Sequence, residues 1–134
     1  MTGNRVVLAD DLPSVMGTVA KLLEGSFEIV GKACDGTSAL QTILKLDPDV
    51  AVLDISMPGL SGIEVARELQ DRGARTKIVF LTVHEDLDIL ATCLAAGGLG
   101  YVVKLLMETD LLPAMNAALA GHEFVSRFPT QQDA

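Results

Sequence analysis

Residues 49–62 have the sequence DVAVLDISMPGLSG, and the prediction of the fold depends on this stretch. Residues 50–53 are an unbroken apolar run, which is typical of a strand buried on both faces of a parallel sheet. The run ends at an acid, Asp54. A proline and a glycine then favour a turn, and Ser61 is suited to cap a following helix. Because open α/β sheets place their ligands at the carboxyl ends of strands, Asp54 is a candidate functional carboxylate. The alternative is that Asp54 only helps to turn the chain.

Composition limits the class of protein. The chain has 134 residues, 49% of them apolar, and a formal net charge of −8. This length and apolar content predict one domain with a real core. The basic residues are scattered, which argues against direct nucleic-acid binding by this segment. Apolar stretches are too short to span a membrane, and no signal peptide is recognisable, so we expect a soluble, cytoplasmic protein. Cys34 and Cys93 are expected to be buried, reduced thiols.

Four more apolar runs alternate with segments of helical periodicity. This alternation predicts a doubly wound α/β fold, in which a five-stranded parallel sheet carries helices on both faces. The mixed run at residues 28–34 is expected to form an edge strand. We assign one domain to residues 1–125 and a tail or the start of a linker to residues 126–134. The strands are predicted at residues 5–9, 28–34, 50–53, 77–81 and 101–103.

Polar residues follow four of these strands. Asp10 and Asp11 follow the first, Asp54 the third, Thr82 the fourth and Lys104 the fifth. Since the carboxyl ends of parallel strands lie at one edge of a sheet, we expect these side chains to converge there. Each residue alone could be an ordinary loop residue, but a chance origin for the whole set is much less plausible.

Phosphoryl transfer accounts for this combination of groups. Clustered carboxylates repel one another, and a hard divalent cation such as Mg2+ relieves that repulsion. An ionised aspartate needs no general base to attack phosphorus. A metal ion, an ammonium group and a hydroxyl can share the charge of the transferred group. The set therefore favours Asp54 as nucleophile, with Thr82 and Lys104 as ligands of the phosphoryl group.

The acid pair, LDISMPGLSG, LTVHED and AAGGLGYVVK together resemble a response-regulator receiver domain of bacterial two-component systems, over residues 4–122. LTVHED and AALAGHEFVS resemble the subclass that precedes a LuxR/NarL-type helix-turn-helix domain. The resemblance implies a flavodoxin-like strand order of 2-1-3-4-5 and a sensor histidine kinase as partner. It also implies control of transcription through a DNA-binding domain absent from this chain, and a possible homodimer on phosphorylation.

The resemblance also implies a role for each site residue. Asp54 becomes the phosphoacceptor, and Lys104 a ligand of the phosphoryl group. Thr82 and Tyr101 become the switch pair, in which the hydroxyl moves toward the phosphoryl group and the aromatic ring repacks.

The same resemblance implies a Mg2+ site next to the phosphoacceptor. Asp11 is implied as a direct metal ligand and Asp10 as a ligand acting largely through water. Asp54 and the backbone carbonyl of Ser56 complete the implied set.

The chain departs from the family pattern after Lys104, where Leu105 replaces the usual proline. A cis peptide before a residue other than proline costs about 2.5–4 kcal/mol, so we expect a trans bond and a reshaped loop. Residues 105–107 form an apolar trio that either covers the core or presents a partner surface. His84 either tunes hydrolysis or is an ordinary loop histidine.

Two other functions remain open. One is a stand-alone receiver that acts through protein–protein contacts. The other is a Mg2+-dependent phosphatase with an aspartyl intermediate, but such enzymes usually have a second acid two residues after the nucleophile, where this chain has Ser56. We therefore do not expect an enzyme beyond self-phosphorylation and slow autodephosphorylation.

Overall fold

The structure is a computed structural model that describes residues 4–127. Its centre is a parallel sheet with the strand order β2-β1-β3-β4-β5-β6. This order confirms the predicted flavodoxin-like fold and adds a sixth strand to it. The strands are β1 (Arg5–Ala9), β2 (Glu28–Ala33), β3 (Val50–Leu53), β4 (Lys77–Thr82), β5 (Gly98–Val103) and β6 (Phe124–Val125).

Helices cover both faces of the sheet, as predicted. The core consists of two apolar clusters. One contains the buried residues of α2, α3 and α4, and the other contains those of α1 and α5. A short 3-10 turn, Lys104–Leu106, joins β5 to α5. The helices are α1 (Pro13–Leu23), α2 (Gly36–Leu46), α3 (Gly62–Asp71), α4 (Leu87–Ala95) and α5 (Met107–Leu119).

The central strand β3 is buried at all four of its residues, which agrees with its continuous apolar sequence. It lies between β1 and β4, and Leu53 pairs with Ala9 on one side and with Phe80 on the other. The chain therefore leaves these neighbouring strands at a similar level. This register places the residues that follow β1 and β3 side by side.

Two elements, α4 and β5, begin at least two residues away from their predicted first residues. The periodicity of residues 85–96 predicts a helix that begins at residue 85. Helix α4 begins instead at Leu87, because the Asp86 side chain accepts hydrogen bonds from the backbone N–H groups of Asp88 and Ile89 and so caps the helix. Strand β5 begins at Gly98 rather than at Tyr101. A Cβ atom on Gly98 would lie 2.6 Å from the Phe80 ring, so this glycine allows close packing of the two strands.

The expectation of two buried thiols is half wrong. Cys93 is buried, and burial raises its pKa to about 12. Cys34 is exposed. It follows Ala33, which ends β2 with its side chain in the core, and successive residues of an extended chain point to opposite sides.

Strand β6 was not predicted, because two residues are too short to show a periodic pattern. It pairs with β5 through Phe124 with Gly100 and Val125 with Tyr101. Ser126, the first residue of the predicted tail, is 1% exposed. Residues 128–134 of that tail lie outside the described residues.

Across residues 4–127, every helix is too short or too polar to cross a lipid bilayer.

Candidate functional site

Three polar side chains meet at the carboxyl edge of the sheet. Asp10 follows β1, Asp54 follows β3, and Lys104 follows β5. The ammonium nitrogen of Lys104 lies 2.9 Å from Oδ2 of Asp10 and 3.4 Å from Oδ2 of Asp54. Lys104 therefore bridges two buried carboxylates whose strands are not its neighbours in the sheet.

Asp11 joins this group to form a cluster of three acids. One carboxylate oxygen from each of Asp10, Asp11 and Asp54 lies within 4.8 Å of the others. Asp10 and Asp54 are 4% and 5% exposed, whereas Asp11 is exposed to solvent. The cluster thus has two buried carboxylates at its base and one at its open side.

The backbone fixes both buried acids. The N–H groups of Asp10 and Asp54 donate to the carbonyls of Ala33 and Ala9, which extends the sheet pairing by one residue. Oδ1 of Asp10 accepts a hydrogen bond from the N–H of Leu12 at 2.9 Å. Oδ1 of Asp54 accepts one from the N–H of Ser56 at 3.3 Å.

The oxygen set suits a hard cation. Oδ2 of Asp10 is buried and close to Lys104, yet no well-aligned hydrogen bond reaches it from the described residues. A buried carboxylate oxygen in that state is normally satisfied by a further ligand. Mg2+ prefers oxygen ligands and takes one or two carboxylates together with water and phosphate oxygens. Asp10, Asp11 and Asp54 therefore fit Mg2+.

Electrostatics explain why this site needs a positive charge. Burial raises the pKa of Asp54, and the neighbouring Asp10 carboxylate raises it further, while Lys104 and the Ser56 N–H oppose both effects. Burial works against the charged form of Lys104. Its close contact with Asp10 and the charge of Asp54 outweigh that effect, so the pKa of Lys104 is above its usual value.

The predicted switch pair lies beside this cluster and is fully buried. Thr82 ends β4, and its Oγ1 accepts a hydrogen bond from the N–H of His84 at 3.1 Å. The Tyr101 hydroxyl donates to the carbonyl of His84 at 2.9 Å. The ring of Tyr101 is thus packed inside the protein, and burial raises the pKa of its hydroxyl.

His84 has more contacts than the sequence could indicate. In addition to its two backbone bonds, its Nε2 lies 3.2 Å from Oγ of Ser56, two residues after Asp54. The imidazole therefore links the loop after β3 to the loop after β4. Two of these contacts use backbone atoms, which any residue type supplies, so no sequence signal marks them.

The loop after Lys104 has a trans peptide before Leu105, as expected. Leu105 is 85% exposed, whereas Leu106 and Met107 are partly buried and pack against the two apolar clusters. The trio is therefore divided between surface and core. The loop is built as a 3-10 turn, and Lys104 still contacts both Asp10 and Asp54.

Residues 6–116 match the family described as the response regulator receiver domain. A putative transcriptional regulator of Pseudomonas aeruginosa is 38% identical over 128 residues, which are 95% of this chain and 60% of the relative. The nitrate/nitrite response regulator protein NarL of Escherichia coli K12 is 32% identical over 123 residues, which are 90% of this chain and 57% of NarL. The chain thus spans less than two thirds of these relatives.

Solved structures agree with these sequence matches. The receiver domain of the putative response regulator NarL from Mycobacterium tuberculosis aligns with a TM-score of 0.86 at 32% identity, covering 91% of this chain and 100% of that domain. The isolated REC domain of RcsB from Salmonella enterica serovar Typhimurium, in the presence of phosphomimetic BeF3-, also has a TM-score of 0.86. Its identity is 30%, and the alignment covers 94% of this chain and 95% of that domain.

Proposed function

Since this chain belongs to the response regulator receiver domain family, we propose that Asp54 accepts a phosphoryl group from a sensor histidine kinase in a Mg2+-dependent reaction. The observation that carries the proposal is the placement of Asp54. Its carboxylate is buried among Asp10, Asp11 and Lys104 at the carboxyl edge of the sheet. Incubation with Mg2+ and acetyl phosphate, followed by intact mass measurement, tests it. A protein that gains no phosphoryl group under these conditions contradicts the proposal.

The transfer follows from the chemistry of Asp54. A carboxylate oxygen forms a bond to phosphorus while the phosphorus–nitrogen bond to the donor imidazole breaks. The bonding electron pair remains on the imidazole nitrogen, and the product is an acyl phosphate on Asp54. Lys104, whose ammonium nitrogen is 3.4 Å from Oδ2 of Asp54, would bind an oxygen of the transferred group.

Asp10, Asp11, Asp54 and the backbone carbonyl of Ser56 would hold Mg2+. When bound, the ion supplies positive charge that offsets the repulsion between the carboxylates and the incoming phosphoryl group. Lys104 already supplies one such charge from its position between Asp10 and Asp54. Thr82 would contribute its hydroxyl, which first has to leave the N–H of His84.

The output we propose is control of transcription. The relatives from P. aeruginosa and E. coli are named as transcriptional and response regulators, and this chain matches about 60% of their length. We therefore propose a DNA-binding domain in addition to residues 1–134 and a cytoplasmic location shared with the kinase. The family match and these names also favour a regulator over a classical enzyme.

Mg2+ affinity is expected to depend more on Asp11 than on Asp10. Asp10 already has Leu12 N–H and Lys104 as partners, whereas the exposed Asp11 is implied as a direct metal ligand. Loss of a direct ligand weakens a site more than loss of a contact made through water. Calorimetric titration of Mg2+ into Asp10→Asn and Asp11→Asn measures the two losses. Equal losses, or a larger loss for Asp10→Asn, would contradict the assigned roles.

Phosphorylation is expected to strengthen a homodimer. With a net charge of −8, two copies of the chain repel each other. A dimer therefore needs apolar contacts, such as the 85% exposed Leu105 or the surface of α5. Sedimentation with beryllium trifluoride, a phosphoryl mimic, should show an association constant raised at least about fivefold. Tyr101→Ala should reduce that gain, because its ring is the proposed switch. An unchanged constant for the wild type argues instead for a different partner.

A further inference from the structure

Ser126 makes an unusual set of contacts for a residue close to the end of the chain. It is 1% exposed, and its N–H donates to the carbonyl of Tyr101 at 2.8 Å. Its Oγ accepts a hydrogen bond from the N–H of Val103 at 3.1 Å and donates to Oδ2 of Asp110 at 2.6 Å. One small side chain thus connects β5 to α5, directly after β6.

Of the two β5 residues that Ser126 contacts, one is a proposed functional residue and the other directly precedes one. Tyr101 is the proposed switch aromatic, and Val103 directly precedes Lys104. Lys104 in turn lies within 3.4 Å of Asp54. A path of adjacent backbone atoms and hydrogen bonds therefore leads from the phosphoacceptor to Ser126.

Ser126 is also needed to satisfy a buried donor. Val103 is 2% exposed, and its N–H donates to the side-chain oxygen of Ser126. Undocking of residues 124–127 would leave that donor buried without this partner, which is unfavourable. Because β6 pairs through only two residues, it is a short element whose docking depends on such contacts.

We propose that Ser126 couples phosphoryl binding at Asp54 to the docking of residues 124–127 on β5. This inference rests on the proposed function. It adds a path by which phosphoryl binding at Asp54 affects residues 124–127. Both events require the Val103–Lys104 backbone in its observed position, so each favours the other. Such coupling is reciprocal by thermodynamic necessity.

Two measurements test this coupling. Calorimetry gives the affinity of the Mg2+-loaded protein for beryllium trifluoride, and NMR hydrogen exchange follows the amides of Val103 and Ser126. We expect Ser126→Ala to weaken the affinity about fivefold or more. In the wild type, the mimic should slow exchange at both amides by a similar factor.

Thr76→Val is the matched control. The Thr76 hydroxyl is also buried and also bonds to the backbone, at the carbonyl of Pro48, but it precedes β4 at the opposite edge of the sheet. This variant should keep the affinity of the wild type. If Ser126→Ala fails to fold, Asp110→Ala replaces it, because it removes the acceptor of Ser126 and leaves the bond to Val103; a smaller loss in the same direction is expected.

The outcomes separate the two proposals. If the mimic binds at Asp54 but neither amide changes its exchange rate, and the variant binds as tightly as the wild type, β6 is only structural and the coupling is wrong. If the wild type takes up neither the mimic nor a phosphoryl group from acetyl phosphate, the proposed function itself is wrong. The coupling then fails with it.

Discussion

Asp54→Asn is expected to abolish phosphoryl uptake from acetyl phosphate. The amide that replaces the carboxylate is a poor nucleophile, and Asp10, the other buried acid of the site, is already engaged by Lys104 and the Leu12 N–H. Intact mass measured after incubation with Mg2+ should show a phosphorylated wild type and an unmodified variant. A variant that gains a phosphoryl group as readily as the wild type would show that Asp54 is not the acceptor.

A folding defect is not expected to cause this loss. Burial and Asp10 raise the pKa of Asp54 in the folded protein, so without Mg2+ its ionisation makes folding less favourable as pH rises through that pKa. Replacing Asp54 by a neutral amide removes this effect. Thermal unfolding at neutral pH should therefore give the variant at least the stability of the wild type. Asp71→Asn, an exposed acid at the far end of α3, is the control that should keep full phosphoryl uptake.

Gly62→Ala is expected to lower the free energy of unfolding by about 3 kcal/mol, the upper end of the usual cost of overpacking. Gly62 begins α3, and a Cβ atom there would lie 2.1 Å from the carbonyl oxygen of Asp54 and 3.1 Å from Cα of Ile55. Both are backbone atoms and cannot move aside as a flexible side chain would. The variant should also weaken Mg2+ binding, because relief of the clash displaces the backbone of Asp54, a proposed Mg2+ ligand.

Gly17→Ala provides the opposite case. Gly17 lies inside α1, and a Cβ atom there would meet nothing within 4 Å. Alanine favours a helix interior over glycine by about 0.5–1 kcal/mol, so this variant should be more stable than the wild type. Urea unfolding measures the change in the free energy of unfolding for both glycine variants, provided that the m-value is unchanged. If Gly62→Ala unfolds at the same midpoint as the wild type, the close approach of α3 to Asp54 is not as tight as described.

The sheet, and the convergence of the candidate site residues at one of its edges, could be predicted from the sequence because both follow from local patterns. A buried run such as residues 50–53 signals a central strand, and the parallel arrangement then places Asp54 and Lys104 at one edge. The contacts of His84 and Ser126 could not be predicted in this way. They depend on backbone groups brought together from distant parts of the chain, and β6 is shorter than any periodic signal.

The start of β5 is another feature that local sequence patterns could not predict. Its first residues include Gly98 and Gly100, which local propensity assigns to loops rather than strands. In this fold both positions are in a strand, and glycine is needed there because added Cβ atoms would collide with Phe80 and Val79 of β4. Only the packed sheet reveals that requirement.

The two outer strands of the sheet also bear on how the protein avoids aggregation. An exposed strand edge is a template on which another chain can add, and proteins protect such edges with charges, bulges and short strands. On one side, β2 has exposed Glu28 and Lys32 and is out of regular register with β1 between Val6 and Val7. On the other, β6 offers only two residues. Both borders therefore discourage strand addition, and the four-residue apolar strand β3 stays in the interior, where another chain cannot pair with it.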